Sequence, residues 1–148
     1  MSRKIYTIGF TQKTAQTFFE TLKYNKIENI LDIRLNNTSQ LAGFAKYPDI
    51  KFFLHEICNI RYIHDTKFSP TKETLKKYKN KEIKWYEYVE EFSQTMANRD
   101  IHKHIQANYL EDITTCLLCS ESTADQCHRQ LVGNEFKKVF NDLDIIHL

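Results

Sequence analysis

Hydrophobic and polar positions follow two periods along the chain, short β-prone runs alternating with longer stretches of helical spacing. Lys4-Ile5-Tyr6-Thr7-Ile8 is β-branched and aromatic and stops at Gly9, which predicts a first strand. Phe18, Phe19 and Leu22 recur at helical spacing behind Thr11 or Thr14, either of which can cap a helix reaching about Tyr24. Ile27 and then Ile30-Leu31-Asp32-Ile33-Arg34 predict a second strand, apolar until its charges. A polar loop from Leu35 to Lys46 contains Gly43-Phe44. Pro48-Asp49 opens a helix to about Cys58, with Ile50, Phe53, Leu54 and Ile57 on one face.

Arg61-Tyr62-Ile63-His64 predicts a third, short strand. The lysine-rich stretch from Pro70 to Asn80 reads as helical or irregular. Trp85 to about Met96 is strongly amphipathic, and Ile101 to Tyr109 predicts another helix. Thr114 to Cys119 is the fourth strand, followed by a helix to about Phe140 with Thr123 and Gln126 as a capping box. Asp144 to His147 is the fifth strand. Strands alternating with helices, apolar on both faces, predict a single α/β domain: a mainly parallel sheet of about five strands flanked by helices, Rossmann-like and three-layered.

In such sheets ligands bind beyond the carboxyl ends of the strands. Those ends carry Gly9, then Asp32 and Arg34, then Tyr62 and His64, then Cys119 and Glu121, and finally His147. The polar groups therefore gather on one edge. Cys119 and Glu121 are followed, after Ser122-Thr123-Ala124-Asp125-Gln126, by Cys127-His128-Arg129, which puts a thiol, an imidazole and a guanidinium near the start of a helix. That segment is the focus of the chain.

Composition narrows the classes. A chain of 148 residues is the usual size of one domain, and 10 Phe with 8 Tyr supply core bulk. A net charge of +2 is too mild to argue for nucleic acid, although Lys72, Lys76, Lys77, Lys79, Lys81 and Lys84 cluster, with Glu73 and Glu82 among them. A solvated helix face is the plainer reading of that run, and support for a nucleic-acid partner is weak. No apolar window approaches the ~20 residues of a membrane span, so no membrane partner is expected. The N-terminal run is strand-like rather than a signal segment, and four cysteines then point to free thiols in a reducing cytoplasm.

Cys116 and Cys119 form a C-x-x-C, but an odd separation on one strand puts them on opposite faces. Cys116 is therefore read as core and Cys119 as the strand-end group. Zinc held by Cys119, Cys127 and His128 is geometrically open but lacks an obvious fourth ligand, and ranks below a metal-free site. A thiol at a helix N-terminus beside Arg129 gains thiolate character; the plainer alternative is a small buried hydrophobe. Arg34 and Arg129 suit a carboxylate or phosphate, unless Asp32 and Glu121 simply satisfy them. Glu121 serves as acid, base or nucleophile if burial raises its pKa. Phe44 is a lid or a core plug. Gly133, inside a helix, calls for close helix–strand packing.

At these residues the chain resembles the domain-of-unknown-function family 488. The resemblance runs through Thr7-Ile8-Gly9, Asp32-Ile33-Arg34, Gly43-Phe44, Tyr62-Ile63-His64 and the Cys119, Glu121, Cys127-His128-Arg129 signature. Family members usually carry His where this chain has Phe10. They have a Pro and then Ser-Arg where it has Asn37-Thr38-Ser39-Gln40, and Leu-Gly where Lys67-Phe68 stand. The resemblance implies the α/β fold and this site. The expected activity is that of a small enzyme acting on an anionic, nucleotide-like small molecule. Cys119, Glu121, Cys127 and His128 would be catalytic, and Gly9, Asp32, Arg34, Tyr62, His64 and Arg129 would bind the ligand. A non-catalytic ligand or nucleic-acid binder and a purely structural Cys/Glu/Arg network are the alternatives, and the sequence does not specify an oligomeric state.

Overall fold

A computed structural model describes residues 3–38, 42–109, 112–121 and 127–148. Its strands are β1 (Arg3–Gly9), β2 (Asn29–Asp32), β3 (Arg61–His64), β4 (Thr115–Cys119) and β5 (Leu143–His147). Its helices are α1 (Ala15–Tyr24), α2 (Asp49–Cys58), α3 (Lys72–Lys79), α4 (Trp85–Asn98), α5 (Ile101–Asn108) and α6 (His128–Val139). The strands form one sheet in the order β3-β2-β4-β1-β5, and every neighbouring pair is parallel.

Two apolar layers sandwich this sheet. On one face Ile8, Ile30, Cys116 and Leu118 meet Phe18, Phe19 and Leu22 of α1 and Ile50 and Leu54 of α2. On the other, Leu31, Ile33 and Leu117 meet α4 through Tyr88, Phe92 and Met96. The same layer takes in Ile101 and Ile105 of α5 and Val132 and Phe136 of α6. Strands coated on both faces lose the polar alternation of a half-exposed sheet, hence the continuous apolar runs in the sequence. Each fully buried Leu, Ile or Phe contributes roughly 1.5–3 kcal/mol of apolar burial.

Local chemistry sets the element boundaries. Thr14, not Thr11, caps α1: its hydroxyl accepts from the Thr17 N–H at 3.0 Å. Thr11 instead binds the Ser120 carbonyl through its backbone N–H at 3.0 Å and through its hydroxyl. The lysine-rich stretch resolves as α3 because Thr71 caps it, accepting from the Thr74 N–H at 3.1 Å. Strand β2 ends at Asp32, two residues earlier than its apolar run, because the Asp32 carboxylate turns back to accept the Arg34 N–H at 3.2 Å. Gly133 packs on β5, where an added Cβ would lie 3.3 Å from Ile145 Cγ2. The Thr123–Gln126 capping box and the departures at Ser39 and Gln40 lie outside the described residues.

The strand order also sets which face of the sheet each crossover takes. The chain leaves β1 toward β2 on one face of the sheet and leaves β4 toward β5 on the other. Right-handed crossovers moving in opposite directions demand opposite faces. At the carboxyl ends of β1 and β4, where Gly9 pairs with Cys119, the chain leaving β4 closes over β1, and the open space lies over the ends of β4 and β2.

Candidate active site

Cys119 is the last residue of β4, and Cys127 is the N-cap of α6. Their sulfurs stand 3.1 Å apart, with the Cys127 S–H donating to Cys119. His128, the first residue of the helix, places Nδ1 3.4 Å from the Cys119 sulfur. Its Nε2 lies 2.9 Å from the Ile33 carbonyl. A carbonyl only accepts, so Nε2 carries the hydrogen and the ring is locked with Nδ1 toward the thiol. The backbone N–H groups of Ser120 and Glu121 also point at the Cys119 sulfur.

These donors decide the charge of the thiol. The Cys127 hydrogen bond is the largest influence holding Cys119 below the ordinary thiol range, and the Ser120 and Glu121 N–H groups and the Arg129 charge assist it against burial. Cys127 moves the opposite way. It is pushed up first by donating to Cys119 and then by burial, with His128 opposing. The pair therefore divides into an acidic and a reluctant thiol. Cys116 faces the other layer and is pushed up by burial. The odd spacing of the C-x-x-C does separate its two sulfurs.

Arg34 makes a fork to Asp32, Nε to Oδ1 at 2.8 Å and Nη2 to Oδ2 at 2.7 Å. Burial works against its charge, and Asp32 more than offsets that, so Arg34 is held above its ordinary range. Its guanidinium lies over the Phe10 ring, 5.2 Å from the centroid. Phe10 therefore gives Arg34 an aromatic platform. Nη1 is buried without a hydrogen-bond partner, a donor left open at a cost of about 1–3 kcal/mol. Tyr62 donates to Asp32 Oδ2, and its hydroxyl accepts from Asn37 at 2.9 Å. Burial, then Asp32, pushes that phenol well up. His64 bonds the Arg34 carbonyl at 2.7 Å and so fixes the turn that presents Arg34.

A cavity of about 350 Å³ opens over this edge, with Arg34, Cys119, Ser120, Glu121, Cys127 and His128 in its wall. Pro70, Leu75, Tyr78 and Lys79 from α3 and its approach, and Tyr88 from α4, complete it. Of the residues expected from sequence, Cys119, Glu121, Cys127, His128 and Arg34 meet here. Gly9, Asp32, Tyr62, His64 and Arg129 are not in the wall and act behind it. Glu121 contributes its backbone, while its side chain is exposed, without the burial that an acid–base role called for. Phe44 packs on Phe10, Phe18 and Phe19 with centroids 5.4–6.4 Å away, so it is a core plug and not a lid. Tyr88 and Lys79 were not singled out from sequence. Tyr88 was one of several apolar positions on its helix, and nothing in the lysine run marks Lys79 from its neighbours.

Arg129 is fully buried, with Nε and Nη1 unpartnered. It lies against the carboxyl end of β1: a Cβ on Gly9 would come within 3.0 Å of its Nη1 and 1.5 Å of the Glu121 carbonyl oxygen. Gly9 is required because the chain leaving β4 crosses directly over it.

The sequence over residues 14–135 matches the family model for the Domain of unknown function DUF488. The chain belongs to the DUF488 family. Comparison with curated proteins and with solved structures returned no match. In this DUF488 chain the matched span takes in β2, β3, β4 and the start of α6, with every cavity residue named above, and leaves Gly9 and β5 outside. No helix among the described residues is long and apolar enough to cross a membrane.

Among the described residues, Cys119, Cys127 and His128 also form a group that could hold a metal ion, since their ligand atoms lie within 4.8 Å of one another. Two sulfurs sharing one tetrahedral zinc, each at ~2.3 Å, stand ~3.8 Å apart. At 3.1 Å, the Cys119 and Cys127 sulfurs are closer than that, with the Cys127 S–H donating to Cys119.

Proposed function

We propose that this DUF488 protein is a small enzyme of a reducing cytoplasm that acts on an anionic small molecule, nucleotide-like in size, with Cys119 as nucleophile. The observation that carries this reading is the convergence of the Cys127 S–H, His128 Nδ1 and two backbone N–H groups on one sulfur, in a cavity walled by Arg34. The open Nη1 of Arg34 receives the anion, and Lys79 adds charge at the rim. Cys119 passes its proton to the bare His128 Nδ1, the thiolate attacks the electrophilic centre, the bond to sulfur forms as the bond to the leaving group breaks, and that group departs with the proton now on Nδ1. The ring then takes a proton from water, which cleaves the sulfur-linked intermediate and restores the thiolate.

A second reading has support from Lys79 alone: the same pocket binds the phosphate end of a nucleic acid, with α3 along the backbone. That reading predicts oligonucleotide binding that weakens steeply with salt.

The test is the rate of iodoacetamide labelling of each cysteine against pH on the native protein, read by mass spectrometry, with metal analysis in parallel. Cys119 is expected to label fastest, with a midpoint below ~8.5 and protection by pyrophosphate. Labelling of Cys119 only on unfolding overturns the nucleophile, and stoichiometric zinc overturns the metal-free site.

A further inference from the structure

We propose that Cys119 and Cys127 form a dithiol–disulfide couple in which a hydroperoxide oxidises Cys119 and Cys127 resolves the oxidised sulfur. The inference rests on Cys119 being a thiolate and extends that reading to its neighbour.

Three observations carry it. The two sulfurs are 3.1 Å apart, so closing to the ~2.05 Å of a disulfide needs about 1 Å of movement. That movement is available because Cys127, though an N-cap, makes no side-chain capping bond that would have to break. Neither of the other two thiols competes: Cys116 is on the opposite face of β4, and Cys58, at the end of α2, donates to the Phe19 carbonyl at 3.8 Å. Access selects a small oxidant, since Cys119 is 5% exposed and reached through the cavity.

In the first step the Cys119 thiolate attacks one peroxide oxygen. The S–O bond forms, the O–O bond breaks, and the departing oxygen takes a proton from water to leave as alcohol or, from hydrogen peroxide, as water. Cys119 is now a sulfenic acid and no longer anionic, so Cys127 is released from donating to a thiolate. Its sulfur attacks the Cys119 sulfur, the S–S bond forms and the S–O bond breaks. Hydroxide leaves with the Cys127 proton as water. Two thiols have given two electrons to one peroxide. A small dithiol reverses the change and returns the site to its nucleophilic form.

The full-length protein is exposed to hydrogen peroxide, alkylated, and mapped by mass spectrometry. The expected result is a Cys119–Cys127 cross-link lighter by two hydrogens, with Cys58 and Cys116 still alkylated and both lost thiols recovered after dithiothreitol. In Cys127→Ala, Cys119 should instead be trapped by dimedone as the sulfenic acid. Fast iodoacetamide labelling of Cys119 without any cross-link, or oxidation of Cys119 to sulfinic acid with Cys127 still alkylated, overturns the couple and leaves the nucleophile standing. A native Cys119 inert to both reagents overturns both. The wild-type cross-link does not depend on whether the variant folds.

Discussion

His128 presents Nδ1 to the Cys119 sulfur at 3.4 Å because its Nε2 is tied to the Ile33 carbonyl at 2.9 Å. One end of the ring is fixed by Ile33, the residue just after β2, which holds the imidazole against the thiol. His128→Asn keeps a polar side chain but cannot span both partners. With Nδ1 no longer there to take the Cys119 proton, the midpoint of Cys119 alkylation should rise by about one pH unit. Cys127, Arg129 and the two backbone N–H groups still act on the sulfur, so the thiol should remain more acidic than Cys58 or Cys116. An unchanged midpoint would remove His128 from the site's chemistry.

Gly9 and Gly43 make a paired test of close approach. An alanine Cβ at Gly9 meets the Glu121 backbone, which cannot swing aside, whereas at Gly43 it meets nothing within 4 Å. Gly9→Ala should cost about 3 kcal/mol, and Gly43→Ala should stay within about 0.5 kcal/mol. Urea unfolding of the two variants measures the difference. Equal effects would mean that the chain leaving β4 is not held against β1.

Arg129 is a fully buried cation with two unpartnered nitrogens, and a buried charge without compensation is expensive. Its field favours the Cys119 thiolate, so the thiolate and the guanidinium stabilise one another. Arg129→Met should therefore raise the Cys119 alkylation midpoint while leaving folding stability at pH 6 equal to wild type or higher. A loss above about 3 kcal/mol would show instead that Arg129 bonds a structural partner.

The sheet, its parallel order and the convergence on its carboxyl edge were legible because each depends on a period or a strand end. Ile30-Leu31 and Leu117-Leu118 read as doubly buried strands because both faces are coated. What escaped depends on contacts between distant elements. Nothing local shows that Arg129 faces the end of β1 instead of the cavity, that Phe10 lies under Arg34, or that Tyr88 forms a wall. The pairing of Cys127 with Cys119 follows from where α6 begins relative to the end of β4, a distance that sequence spacing does not set.

A cluster outside the cavity gives the protein an acid-sensitive anchor. Asp65, just after β3, accepts from the Tyr109 hydroxyl and the Lys67 N–H at 2.7 and 3.0 Å, and pairs with His104 Nε2 at 2.7 Å. Burial pushes its carboxyl up, but the His104, Tyr109 and Lys67 donors prevail and hold it below the ordinary value. A carboxylate with a lowered folded pKa adds stability that is fully present above the unfolded value of ~3.9 and is lost as the pH falls through the folded one. Asp65→Asn should thus cost about 2 kcal/mol at pH 7, and the gap to wild type should close below about pH 4. Tyr109 and His104 also pack on Phe68, so the anchor joins α5 to the turn that leaves β3. Unfolding free energies of both proteins from pH 3 to 7 provide the check: a gap that persists unchanged at pH 3 would mean the carboxylate charge contributes nothing.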